Sequence, residues 1–160
     1  MRSSHLAFAV VASLALFGCP MPESSAARMQ STASDFNTDV RFGRLSLAVE
    51  KVSATEREEF LKRRKTWTGR VEIADYELIS AKMKGNEDAE VVVKYDWYET
   101  SVGDLHTSQI KQAWKSHKGT WQLESETLDE GAPGLLGEKV AEESVAAPRN
   151  LQFPTIRVGD

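Results

Sequence analysis

From Leu6 to Phe17 the chain reads LAFAVVASLALF, 12 positions broken only by Ser13. A spanning helix needs about 20 apolar residues. A positive start at Arg2 followed by so short an apolar stretch matches the layout of a secretory signal. From Pro20 to Asp35 the pattern loses its apolar positions and becomes rich in Ser, Ala and Pro. With little to bury, residues 19–35 are expected to form a flexible tether, and the ordered domain is expected to begin near Phe36.

Phe42, Leu45, Val49 and Val52 recur at helical spacing and predict one amphipathic helix. Ser53 with Glu56, or Thr55 with Glu58, has the spacing of a capping box for a second helix running to about Trp67. Glu56, Glu58 and Glu59 open that helix, and Lys62, Arg63, Arg64 and Lys65 close it, which complements the helix dipole. Glu58 with Lys62 and Glu59 with Arg63 are spaced for surface pairs. Phe60, Leu61 and Trp67 are expected to face the core.

After Thr68-Gly69 the period changes to two. Residues 71–83 predict a long strand with a bulge near Asp75–Leu78, where the apolar face changes side. Residues 89–100 read AEVVVKYDWYET, with Val91, Val93, Tyr95 and Trp97 on one face and Asp96 on the other. Leu105–Trp114 predicts a third strand, residues 115–119 a hairpin loop, and Thr120–Leu128 a fourth strand. Helices followed by a run of strands indicate an α+β domain over residues 36–130. The expected architecture is two N-terminal helices on a curved, cone-like, four-stranded antiparallel sheet. From residue 131 Gly, Pro, Ala and Glu dominate, predicting an irregular tail with a short helix at residues 138–145 and an extended apolar stretch at Leu151, Phe153, Ile156 and Val158.

Composition narrows the function classes. With 160 residues, 20 basic and 24 acidic side chains and a net charge of −4, the chain has room for one domain and does not look like a nucleic-acid-coating protein. Its one Cys excludes an internal disulfide, a thiolate zinc cluster and a CxxC pair. That Cys follows the apolar run directly, in Leu16-Phe17-Gly18-Cys19.

The motif resembles the bacterial lipobox, in which the Cys becomes the lipidated first residue of the mature chain. Phe17 departs from the small residue usual there, and an ordinary signal cleaved further on, near Ala26-Ala27, is the other reading. The resemblance implies a signal peptide over 1–18 and a lipid anchor on Cys19. Loss of Arg2 then leaves a net charge of −5. With Pro20 rather than Asp after the Cys, likeness to Gram-negative lipoproteins implies transfer to the outer membrane, facing the periplasm.

The element order and the hairpin Gln112-Ala113-Trp114-Lys115-Ser116-His117-Lys118-Gly119-Thr120-Trp121-Gln122-Leu123 resemble the nuclear transport factor 2-like, or cystatin-like, cone superfamily over residues 39–128. Residues 41–67 also resemble the helical opening of small envelope lipoproteins of unassigned function. Neither resemblance supplies a catalytic motif that can be placed here.

Cone enzymes would use a carboxylate, Tyr or His in the mouth of the cone, which makes Asp75 and His106 the catalytic candidates, ahead of Tyr76, Tyr95, Asp96 and Tyr98. A base must sit within about 3 Å of the proton it takes and beside a donor for the oxyanion. Tyr95, Trp97 and Trp114, with Trp67, Tyr98 and Trp121, are candidates to line a pocket or to fill the core. His106 and His117 do not form a zinc set, and no phosphate-binding or nucleophile-elbow motif occurs. Residues 62–65 read as a solvated basic helix end, with contact to anionic lipid headgroups or polyanions as the other reading. The resulting expectation is a membrane-anchored envelope protein with a non-enzymatic domain that binds a protein partner or a small apolar ligand, without a cofactor. The alternative is a cone-fold isomerase, dehydratase or hydrolase.

Overall fold

The structure, a computed structural model, describes residues 23–138. The signal segment, Cys19, the helix expected beyond Glu138 and the apolar stretch at residues 151–158 lie outside the described residues.

The first element corrects the expected tether. Helix α1 spans Ser25–Arg41, and the Ser24 hydroxyl caps it by accepting the Ala27 N–H at 3.1 Å. Its inner face carries Met29, Ala33, Phe36 and Val40, all at most 1% exposed. Their spacings of four, three and four residues form a helical stripe, thinned by Ala33 and set among Ser and Thr. The domain therefore includes this helix and its cap, well before Phe36.

The next stretch is not one helix. Gly43 turns the chain at φ 65°, a conformation glycine adopts without strain. Helix α2 (Leu45–Ala48) is a single turn and runs into the 3₁₀ turn Val49–Lys51. The predicted stripe breaks up accordingly. Phe42 is 61% exposed, whereas Ala48 and Val52 are buried. Helix α3 (Arg57–Lys65) starts without a capping box. The Ser53 hydroxyl bonds to that of Thr55, and the Ser53 carbonyl accepts the N–H groups of Glu56 and Arg57. Phe60 and Trp67 are buried as expected, but Leu61 points outward. Lys62 and Arg63 both pair with Glu59, and Arg63 also pairs with Glu56.

The four strands follow the predicted order. They are β1 (Val71–Met83), β2 (Asp88–Glu99), β3 (Leu105–His117) and β4 (Thr120–Gly131), paired antiparallel as β1-β2-β3-β4. The third strand runs through the expected loop, so Lys118-Gly119 alone make the turn. Register shifts lie between Ile73 and Asp75 and between Leu78 and Ser80, where the face change was expected. The sheet is open, with β1 and β4 as its edges, so it does not close into a cone.

The helices cover one face. Phe36 contacts Trp114 edge-on, with ring centroids 5.5 Å apart, and the Tyr76 hydroxyl bonds that of Thr38 on α1 at 2.8 Å. The opposite face is laced by Lys94–Glu77 at 2.7 Å and Lys111–Asp129 at 2.6 Å. Beyond β4, the first part of the expected tail is ordered. Leu135 and Leu136 are buried, and the Trp67 indole N–H donates to the Leu135 carbonyl at 2.8 Å.

Candidate functional site

The alternation of β2 and β3 carries several proposed site residues into the core rather than into a pocket. Tyr95, Trp97 and Trp114 are 1%, 3% and 1% exposed. Trp97 donates to the Ser108 hydroxyl, which donates onward to the Ala132 carbonyl. Tyr95 donates to Asn37 Oδ1, and burial pushes its hydroxyl well above the ordinary phenol range. The role of these three side chains as ligand contacts is therefore corrected to a structural one. Trp121 is likewise buried, with its N–H on the Ser25 carbonyl.

The catalytic candidates are not brought together. Asp75 pairs in register with Asp96 on the solvent side of the sheet, and Arg41 reaches round the edge to meet its carboxylate at 2.9 Å. Its side chain is 64% exposed. His106 belongs to the helix-covered side, in the alternation of Ser108 and Ile110, and stacks on Trp97 with centroids 4.8 Å apart. Asp96 accepts a bond from Thr107 and Tyr98 donates to Glu72, both on the outer side. His117 pairs with Glu124 at 3.0 Å. Among the described residues no group of three or more His, Cys, Asp or Glu is placed to hold a metal ion, and no helix is long and apolar enough to cross a membrane.

A polar chain runs through the core instead. Asn37 on α1 donates to the Ala33 carbonyl and exchanges hydrogen bonds with Gln112 on β3. Gln112 donates to Glu126 on β4 at 3.3 Å. Glu126 meets the Arg64 guanidinium at 2.6 Å, and Arg63 approaches it at 3.8 Å. Arg64 is therefore not part of a solvated basic end: it is 1% exposed, held over the Phe60 ring at 4.2 Å and the Trp67 ring at 5.0 Å. The α-helical period put Arg64 four residues after the buried Phe60, and that spacing was the available signal.

Above Arg64 and Trp67 lies a cleft of about 420 Å³ between the C-terminal end of α1 and the start of β1. Val40, Leu45, Val71 and Ile73 supply apolar walls, and Arg41 and Thr68 supply polar ones; Glu72 also borders the cleft, with its carboxylate held by Tyr98 on the outer side of the sheet. Phe42 borders it, with the Arg41 and Arg44 guanidinium groups 5.4 Å and 5.1 Å from its ring centroid. Its volume lies within the range of small-molecule sites. The sequence reading missed this cleft because it placed Phe42 and Leu45 on a buried helix face.

No family model matches the chain, and no curated protein matches it. The fold is similar to the solution structure of a SEC-C motif containing protein from Rhodopseudomonas palustris, with a TM-score of 0.51 at 14% identity, over 68% of this chain and 83% of that one. That likeness and the open sheet correct the expected nuclear transport factor 2-like cone. The Trp114–Trp121 hairpin that suggested it is what an antiparallel pair produces when its core-facing aromatics flank a two-residue turn, and at this identity the similarity shows the fold alone.

Proposed function

We propose that the chain is a lipid-anchored protein of the bacterial cell envelope whose α+β domain binds a small, largely apolar ligand in the cleft between α1 and β1, without catalysis. The cleft carries the reading: it has the volume of a small-ligand site, and its lining mixes the apolar Val40, Leu45, Val71 and Ile73 with the polar Arg41, Arg64 and Thr68. Asp75 and His106 lie on opposite sides of the sheet, and neither lines that cleft, so nothing favours the isomerase, dehydratase or hydrolase alternative.

Cys19 at the end of the apolar run supports the anchor, and Pro20 favours the outer membrane, facing the periplasm. Cys19 lies six positions before Ser25. Helix α1, at about 1.5 Å per residue, then carries the cleft roughly 25 Å further along its axis. The cleft end is thus presented away from the anchored end.

Two measurements test this. Cys19→Ala is expected to move the protein from the membrane fraction to the soluble fraction; retention in the membrane overturns the anchor. Val71→Trp is expected to fill the cleft and weaken binding of an apolar fluorescent dye by about tenfold or more. Unchanged dye affinity in a folded Val71→Trp protein overturns the ligand site.

A further inference from the structure

The described chain ends beside the cleft. The Leu135 carbonyl holds the indole of Trp67, a wall of the cleft, and Glu138 accepts the N–H groups of Gly134 and Leu136 with its carboxylate. These bonds fix the point from which residues 139–160 depart. Phe42, which lines the cleft, is 61% exposed.

From these observations we infer that the C-terminal segment Leu151–Val158 of the same chain docks in this cleft, as an internal occupant that an external ligand must displace. The inference rests on the cleft being a binding surface, as proposed above. Two observations choose this occupant. The first is chemistry: the segment reads LQFPTIRV, with Leu151, Phe153, Ile156 and Val158 apolar. A residue that precedes proline is disfavoured in a helix, and Phe153 precedes Pro154 in this segment. The second is reach. The 13 residues from Glu138 to Leu151 span up to roughly 45 Å when extended, and the departure point is already at Trp67. Tethered so closely, the segment meets the cleft at an effective concentration of about millimolar.

The test uses the full chain with Cys19→Ser, so that a nitroxide placed through Thr155→Cys is the sole label. Loss of amide signal is expected at Gly43, Thr68, Gly69 and Glu72, but not at the far hairpin Lys118-Gly119. Phe153→Ser with Ile156→Ser is expected to restore the lost signals. Absence of loss at the cleft overturns the inference. So does loss that appears in unlabelled copies mixed with labelled ones, since the occupant is then a second molecule. The same double variant separates this inference from the ligand reading. If the label is at the cleft yet neither parent nor variant binds the apolar dye, the segment docks and the external-ligand reading falls. If the variant binds dye about tenfold more tightly than the parent, both stand.

Discussion

Arg64 and Glu126 meet at 2.6 Å across the core, with side chains 1% and 0% exposed. The alignment is poor for hydrogen bonding: Arg64 Nε, Nη1 and Nη2 and Glu126 Oε2 make no hydrogen bond. What holds the cation is charge and the two aromatic faces. Such a pair contributes little net stability, yet either charge left alone in the core is costly. Arg64→Ala and Glu126→Ala are each expected to lower stability by about 3–5 kcal/mol. Arg64→Met combined with Glu126→Leu is expected to recover most of that loss. Urea unfolding of the four proteins reads the result; a double variant as unstable as the sum of the single ones refutes the account.

Asn37 links three elements through one amide. Its Oδ1 accepts from Tyr95 and from Gln112, and its Nδ2 serves Ala33 and Gln112. Asn37→Ala strands the Tyr95 hydroxyl and weakens the hold on Gln112, at about 1–3 kcal/mol for each buried group left unsatisfied. Tyr95→Phe removes only a donor, and Asn37 Oδ1 keeps its bond from Gln112, so about 1 kcal/mol is expected. The order of the two losses, measured by denaturant midpoints, is the check. Equal losses would mean that Asn37 is not the hub.

The α1–α2 corner is held by Asp39, which meets Lys51 and Arg44 at 2.9 Å each. Burial pushes its carboxyl up, but the hydrogen bonds and charges of Lys51 and Arg44 outweigh this and leave it below its usual value of 3.8. A carboxyl lowered by folding stabilises the native state at pH values above 3.8. That contribution disappears as pH falls from 3.8 through the lower folded value, because the unfolded chain takes up the proton first. Asp39→Asn is expected to be less stable than the parent by a constant amount at neutral pH, with a gap that narrows only below that window. A gap unchanged at strongly acid pH contradicts this assignment.

How far the sequence disclosed these features depends on what carried the signal. The strands were legible because Val91, Val93, Tyr95 and Trp97 alternate with polar neighbours, and a two-residue period survives without knowledge of the partner strand. Helix α1 was not: its stripe includes Ala33, and the surrounding Ser and Thr resemble a linker. The cleft depends on Gly43 ending α1 early, a backbone event that leaves the Phe42–Val52 periodicity intact on paper. Glu126 was hidden by a bulge. Ala113 pairs with Ser125 but Trp114 pairs with Leu123, so Glu124 is skipped and the inward parity of β4 passes from Trp121 and Leu123 to Glu126. A charged residue on a face that alternation assigns to solvent thus enters the core.

Gly131 closes β4 where the chain turns into the segment that supports Trp67. Its φ is 94°, and a Cβ there would lie 2.4 Å from the Thr107 carbonyl oxygen and 3.1 Å from Ser108 Cα. Both are backbone atoms, so relief requires moving β3 away from β4. Gly85, in the β1–β2 turn, has φ 100° with nothing within 4 Å. Alanine at either position is strained by the left-handed backbone, at roughly 1 kcal/mol or more. Only Gly131→Ala adds the steric conflict. That conflict falls beside the Ala132 N–H to Thr107 bond and the Ser108–Ala132 contact that steer the chain toward Leu135. Gly131→Ala is therefore expected to cost about 2–4 kcal/mol, well beyond Gly85→Ala, and to increase the solvent exposure of Trp67. Urea midpoints compare the two variants. Acrylamide quenching of tryptophan fluorescence reads Trp67 against a Trp67→Phe control, and equal effects of the two glycine variants would show that the β3–β4 contact tolerates a side chain.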